Sequence, residues 1–221
     1  MGWILKKIKK YCMSIFCIGR NYVAHAHELG NEVPTSAIIF MKPDAALLAA
    51  GENFSIPSFT NDLHFEGELV LRVSKKGKNL SEAHPNGIPV IEYCDAITVG
   101  IDFTARDVQS KLKEKGLPWE KAKAFDNAAI LGEWHPLTSE ILANPIHYTL
   151  SKNGATVQTG DSSLMIFPLD KILAGITEYF TIHPGDLIYT GTPAGVGPTA
   201  KGDVFEGFFE GQSVFSLKVN P

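Results

Sequence analysis

Residues 64–73 read HFEGELVLRV, an alternating stretch that decides most of what can be inferred about the fold. Successive side chains of a β-strand leave opposite faces, so Leu69, Leu71 and Val73 form one apolar face while Glu66 and Glu68 share the other. Two carboxylates about 7 Å apart on one pleated face repel each other, and burial makes the repulsion worse. A hard divalent cation reverses that penalty, because carboxylate oxygens are its preferred ligands. The same spacing also marks an ordinary solvent-facing strand edge, so it does not settle the matter alone. Asp102 adds to it: this residue ends the apolar segment 96–102 and directly precedes a helix-compatible run, 104–115, that carries Arg106 and Gln109. Strand ends are where ligand-bearing side chains reach a cleft. Three carboxylates with positions left open suit Mg²⁺ or Mn²⁺, with Ca²⁺ a further possibility.

The rest of the chain follows the same strand-rich pattern. Segments 14–19 (SIFCIG) and 37–41 (AIIFM) read as strands, the second buried and closed by Lys42-Pro43. Residues 20–29 read as a helix stopped by Gly30, and Gly116-Leu117-Pro118 stops the helix of 104–115. Residues 146–150 and 156–158 flank Asn153-Gly154, a strong hairpin signal. A helix over 169–180, a turn at 183–186, and strands over 187–190 and 214–219 complete the pattern. The expectation is a mixed α/β, strand-rich fold with short helices, forming one domain over 14–221.

Composition narrows the function. The 221 residues carry a formal net charge of -4 with both signs interspersed, which excludes a broad nucleic-acid-binding field. Three cysteines in no CxxC or zinc-like spacing point to a reducing, cytoplasmic setting. Residues 1–12 (MGWILKKIKKYC) crowd four lysines among apolar residues but lack the apolar core of a signal peptide. They read as a disordered basic extension over 1–13, and no membrane association is expected.

Several further motifs occur in a telling order. IDFTARDVQ (101–109) and TGTPAGVGP (190–198) accompany HFEGEL (64–69), with GRNY (19–22), FMKP (40–43) and KAKAF (121–125) in register. Together they resemble the fumarylacetoacetate hydrolase family, closest to its small acylpyruvate hydrolase and oxaloacetate decarboxylase-like members, from about residue 15 to the C-terminus. The resemblance implies a mixed β-sandwich roll, a homodimer, and a metal held by Glu66, Glu68 and Asp102. It also implies a catalytic pair, His25 and Glu28, on a short lid helix, with Lys123 facing a substrate oxygen. Arg20, Arg106, Gln109 and Thr192 would contact a small 2-oxo acid. His25 and Glu28 are three apart, so on a helix they share a face, although such pairs are also common on exposed helices. Residues 161–165 (DSSLM) depart from the Asn-Thr-acid pattern of many members. The expected reaction is hydrolysis of a carbon–carbon bond in a 2,4-dioxo acid such as an acylpyruvate, releasing pyruvate. Oxaloacetate decarboxylation and isomerisation of unsaturated dioic acids would use the same core. An inactive, metal-stabilised binding protein would need neither His25, Glu28 nor Lys123.

Overall fold

The computed structural model describes residues 13–221, so the expected basic extension falls almost wholly outside the described residues. The strands are β1 (Ile15–Gly19), β2 (Ile38–Lys42), β3 (Leu63–Phe65), β4 (Gly67–Val73), β5 (Cys94–Asp102), β6 (Thr104–Ala105), β7 (Ala129–Leu131) and β8 (His135–Pro136). They continue as β9 (His147–Lys152), β10 (Ala155–Asp161), β11 (Leu187–Tyr189), β12 (Gly197–Pro198), β13 (Val204–Phe209) and β14 (Gln212–Lys218). Helices are short: α1 (Val23–Glu28), α2 (Leu80–Ala83), α3 (Val90–Tyr93), α4 (Arg106–Glu114), α5 (Glu120–Lys123), α6 (Ser139–Leu142) and α7 (Leu169–Tyr179).

A seven-stranded sheet runs in the order β2-β1-β11-β4-β5-β7, with β8 also on β5. Its β1–β11 pair is parallel and β4–β5 antiparallel, a mixed sheet. A four-stranded antiparallel sheet, β10-β9-β13-β14, and a three-stranded one, β12-β3-β6, make up the remainder. Leu69, Leu71, Ile97 and Val99 pack from the large sheet against Ile172, Leu173 and Ile176 of α7, whose spacing gives that helix one apolar stripe. A second core joins Phe65 and Phe103 to Leu150, Phe205 and Leu217 of the four-stranded sheet.

The deciding stretch is not one strand. It breaks at Glu66, so β3 belongs to the small sheet and β4 to the large one. At the break the Asp102 amide donates to the Glu66 carbonyl at 2.8 Å, setting the ends of the two strands side by side. Gly67 lies where β9 and β10 close over the break. A Cβ there would meet Gln158 Oε1 at 3.1 Å and Leu150 at 3.2 Å, so only glycine passes without a neighbour yielding.

Two other expectations need correction. Ile38 to Met41 on the edge strand β2 are only partly covered, and the buried residue is Lys42, read from sequence as a mere stop. The first helix starts at Val23, because Arg20 sits at φ 57° and Tyr22 is extended. Asn21 is buried there, its side-chain amide donating to the carbonyls of Phe167 and Thr190. The Asn153-Gly154 turn joins β9 to β10 with positive φ at both residues, as the hairpin reading requires.

Candidate active site

The break in the deciding stretch builds a site. Glu66 in the break, Glu68 on β4 and Asp102 at the end of β5 are all buried, and each offers an oxygen within 4.8 Å of the others. A solvent-facing edge is thereby excluded for Glu66 and Glu68. Lys123, at the end of α5, donates to Glu66 Oε2 and to Asp102 Oδ2, each at 2.7 Å. Arg106, the first residue of α4, donates to Glu66 Oε1 at 2.5 Å and to Gln109 Oε1 at 2.7 Å. Lys42 Nζ lies 2.7 Å from Asp102 Oδ1 and also donates to the Lys123 carbonyl. That contact is an ion pair without hydrogen-bond geometry, leaving Asp102 Oδ1 a buried acceptor with no donor aimed at it.

These contacts set the protonation of the group. Burial alone would raise the Glu66 carboxyl, but Lys123 and Arg106 outweigh it and hold it well below the usual carboxylate range. Glu68 goes the other way: burial first, then Asp102 and Glu66, push its carboxyl well above that range. One N–H partner is supplied by Gly191, which donates to Glu68 Oε2 at 2.7 Å. Gly191 stands at φ 98°, and a Cβ there would come within 2.6 Å of Asn21 Cβ. A buried, partly uncompensated set of oxygen donors with an orphaned acceptor fits a hard divalent cation such as Mg²⁺ or Mn²⁺.

Beside the carboxylates lies a small, partly open cavity lined by Arg20, His25, Arg106, Gln109, Lys123 and Thr192 together with the three acids. Every site residue expected from the sequence except Glu28 lines it. Glu28 instead accepts from Gly195 N at 3.0 Å and lies 3.2 Å from His25 Nδ1. His25 is buried, not an ordinary surface histidine. Burial lowers its pKa below the ordinary 6.5, only partly offset by Glu66 and Glu28, so near neutral pH it is an uncharged base. Thr192 is less available than expected: its hydroxyl donates to the Gly67 carbonyl and accepts from Gln158 Nε2, each at 2.8 Å. Lys123 Nζ spends two of its three N–H donors on Glu66 and Asp102 and lies 5.1 Å from the centre of the Phe40 ring.

The sequence reading missed Lys42, Lys113 and Trp119. Lys113, which lines the same cavity, follows Gln109 by four residues and Arg106 by seven. That spacing puts all three on one face of α4 and was available as a signal.

Residues 14–218 match the family model described as Fumarylacetoacetate (FAA) hydrolase C-terminal. The chain belongs to the fumarylacetoacetate hydrolase family. Among curated family members, it is 37% identical over 202 residues to the oxaloacetate tautomerase YcgM of Escherichia coli, covering 90% of each chain. It is 39% identical over 198 residues to the mitochondrial oxaloacetate tautomerase oaa1 of Schizosaccharomyces pombe, covering 86% of this chain and 85% of that one. A solved family structure, fumarylpyruvate hydrolase from Pseudomonas aeruginosa in complex with Mn²⁺ and pyruvate, superposes with a TM-score of 0.84 at 33% identity. That match covers 95% of this chain and 90% of the other. The family is enzymatic, and its members include tautomerases and hydrolases.

Proposed function

We propose that this protein is a divalent-metal-dependent enzyme that moves a proton between the keto and enol forms of a small 2-oxo acid, with oxaloacetate as the substrate. The observation that carries the reading is the pairing, in one cavity, of a buried carboxylate triad with an uncharged histidine held by a glutamate. Glu66, Glu68 and Asp102 would hold a divalent cation, which would supply Lewis-acid polarisation of the 2-oxo group.

The chain's own residues do the rest. His25 Nε2 takes or returns the proton at C3, and Glu28, beside Nδ1, orients the ring and supports the charge it gains. Lys123 directs its remaining N–H to the oxygen on which enolate charge collects. Gln109, its Oε1 engaged by Arg106, presents its amide N–H₂ to a substrate oxygen. Phe40 and Trp119 wall the cavity and limit bulk water, which strengthens each of these contacts.

Hydrolysis of an acylpyruvate is the second reading. It is favoured by the same uncharged His25, which can deprotonate a water, and by the likeness to a fumarylpyruvate hydrolase. Both readings are tested by following enol absorbance of oxaloacetate and, separately, of acetylpyruvate, with Mg²⁺ and with excess EDTA. Faster ketonisation of oxaloacetate that EDTA abolishes is expected. Rapid loss of acetylpyruvate with no effect on oxaloacetate puts hydrolysis in its place, and no metal-dependent effect on either removes both.

A further inference from the structure

Gln158, on β10, is 2% exposed and lines no part of the cavity, yet both ends of its amide are engaged. Its Oε1 accepts from the Gly67 amide at 2.8 Å, and its Nε2 donates to Thr192 Oγ1 at 2.8 Å and to the Pro193 carbonyl at 3.1 Å. The Thr192 hydroxyl donates to the Gly67 carbonyl at 2.8 Å, which closes a ring of hydrogen bonds. Gly67 is the one residue between Glu66 and Glu68, so the ring holds both polar groups of the backbone unit that joins them. The amide can face only one way, because a backbone N–H only donates and a carbonyl only accepts.

Local structure delivers Gln158 to this place. The pairing of β10 with β9 slips between Thr156 and Gln158, a bulge of the kind that re-aims a side chain. Gly195 fits against the bulge: a Cβ there would lie 2.3 Å from the Val157 carbonyl oxygen. Between Thr192 and that contact runs a loop whose Gly191 N–H binds Glu68 and whose Gly195 N–H binds Glu28. Bulge, ring and loop thus form one unit.

We propose that Gln158 is a positioning residue for the metal site, fixing the relative directions of Glu66 and Glu68 through Gly67 and Thr192 while touching neither ion nor substrate. This rests on the reading above that the triad holds a divalent cation. A methionine of similar length at 158 would leave the Gly67 N–H and the Pro193 carbonyl buried without a partner. The backbone between the two acids would then relax, and loss of such an outer partner costs about ten- to a hundredfold in metal affinity or activity.

The test measures Mn²⁺ binding to the whole, substrate-free chain, read from the loss of the free-ion electron paramagnetic resonance signal. Gln158→Met is expected to bind Mn²⁺ at least about tenfold more weakly than the parent, and Thr192→Val, which opens the same ring from its other side, similarly. The double variant should be within about twofold of the weaker single one, because one break already opens the ring. Thr177→Val is the control for destabilisation alone. That buried hydroxyl donates to the Leu173 carbonyl and accepts from the Leu80 amide, in the α7–α2 contact. It should lower Tm and leave Mn²⁺ affinity within about twofold of the parent. Thermal melts in EDTA show which variants are folded, and if Gln158→Met is not, Thr192→Val decides. A folded ring variant that binds Mn²⁺ like the parent, or an equal weakening in Thr177→Val, overturns the positioning role alone. Failure of the parent to bind Mn²⁺ overturns the metal reading and the positioning role with it.

Discussion

Lys42→Met removes a buried ammonium while keeping most of its volume. Lys42 is 1% exposed and its Nζ lies 2.7 Å from Asp102 Oδ1, itself 1% exposed. At an effective dielectric near 20, unit charges at that distance attract by about 6 kcal/mol before desolvation is counted. The methionine variant regains the cost of burying the ammonium, and Lys123 still neutralises part of Asp102. The net loss therefore belongs at the low end for a broken buried pair, about 3 kcal/mol. For a chain of this size that corresponds to a Tm lower by about 6–12 °C. The assay is thermal denaturation in EDTA and again with Mg²⁺. The deficit should appear in full in EDTA and shrink with Mg²⁺, because a cation at the triad supplies charge that Asp102 has lost. A deficit below about 2 °C in EDTA would show that Asp102 does not depend on Lys42, and would refute the reasoning.

Glu68→Gln should melt within about 2 °C of the parent in EDTA, since the Glu68 carboxyl is pushed towards its neutral form there. The same variant should lose both stabilisation by Mg²⁺ and activity; a variant that keeps them removes Glu68 from the metal site. His25→Ala should lower kcat about 100-fold or more while Mg²⁺ still raises Tm, and a loss confined to Mg²⁺ affinity would contradict its role as a base. Because burial depresses the His25 pKa below 6.5, its neutral form persists as pH falls through that value. The rate should hold at pH 6.5 and decline only lower, so an acid midpoint at or above 6.5 counts against the assignment. Gly191→Ala places a Cβ against Asn21 at a positive φ. It should cost about 2 kcal/mol, or about 4–8 °C, with weaker Mg²⁺ stabilisation through Glu68, and a Tm equal to the parent's would contradict the close approach.

The triad was legible because its members lie at recognisable places in the chain: two glutamates with an alternating pattern, and an aspartate between strand and helix. Their convergence was inferred for a partly wrong reason. An unbroken strand would have carried Glu66 and Glu68 on one face, whereas Glu66 lies in the break between β3 and β4, beside Glu68 and Asp102 of the large sheet. Lys42 was illegible because a lysine before a proline looks like a solvated stop, and the contacts that bury it are made 60 and more residues away. Strand β13 was missed for a local reason. Its sequence VFEGFF places phenylalanines on both faces and a glycine between them, which hides the period of two.

The crowding of Lys42, Lys123 and Arg106 around Glu66 and Asp102 also bears on the order of events in a cell. Many metal proteins cannot fold until their ion arrives, because unscreened ligands repel one another. Here two of the three acids meet cations from their own chain, and the third accepts a proton readily. Folding is thereby uncoupled from metal supply. The polypeptide can mature in a metal-poor compartment and be loaded afterwards, so its activity would track the free concentration of the ion on a timescale shorter than synthesis of new protein.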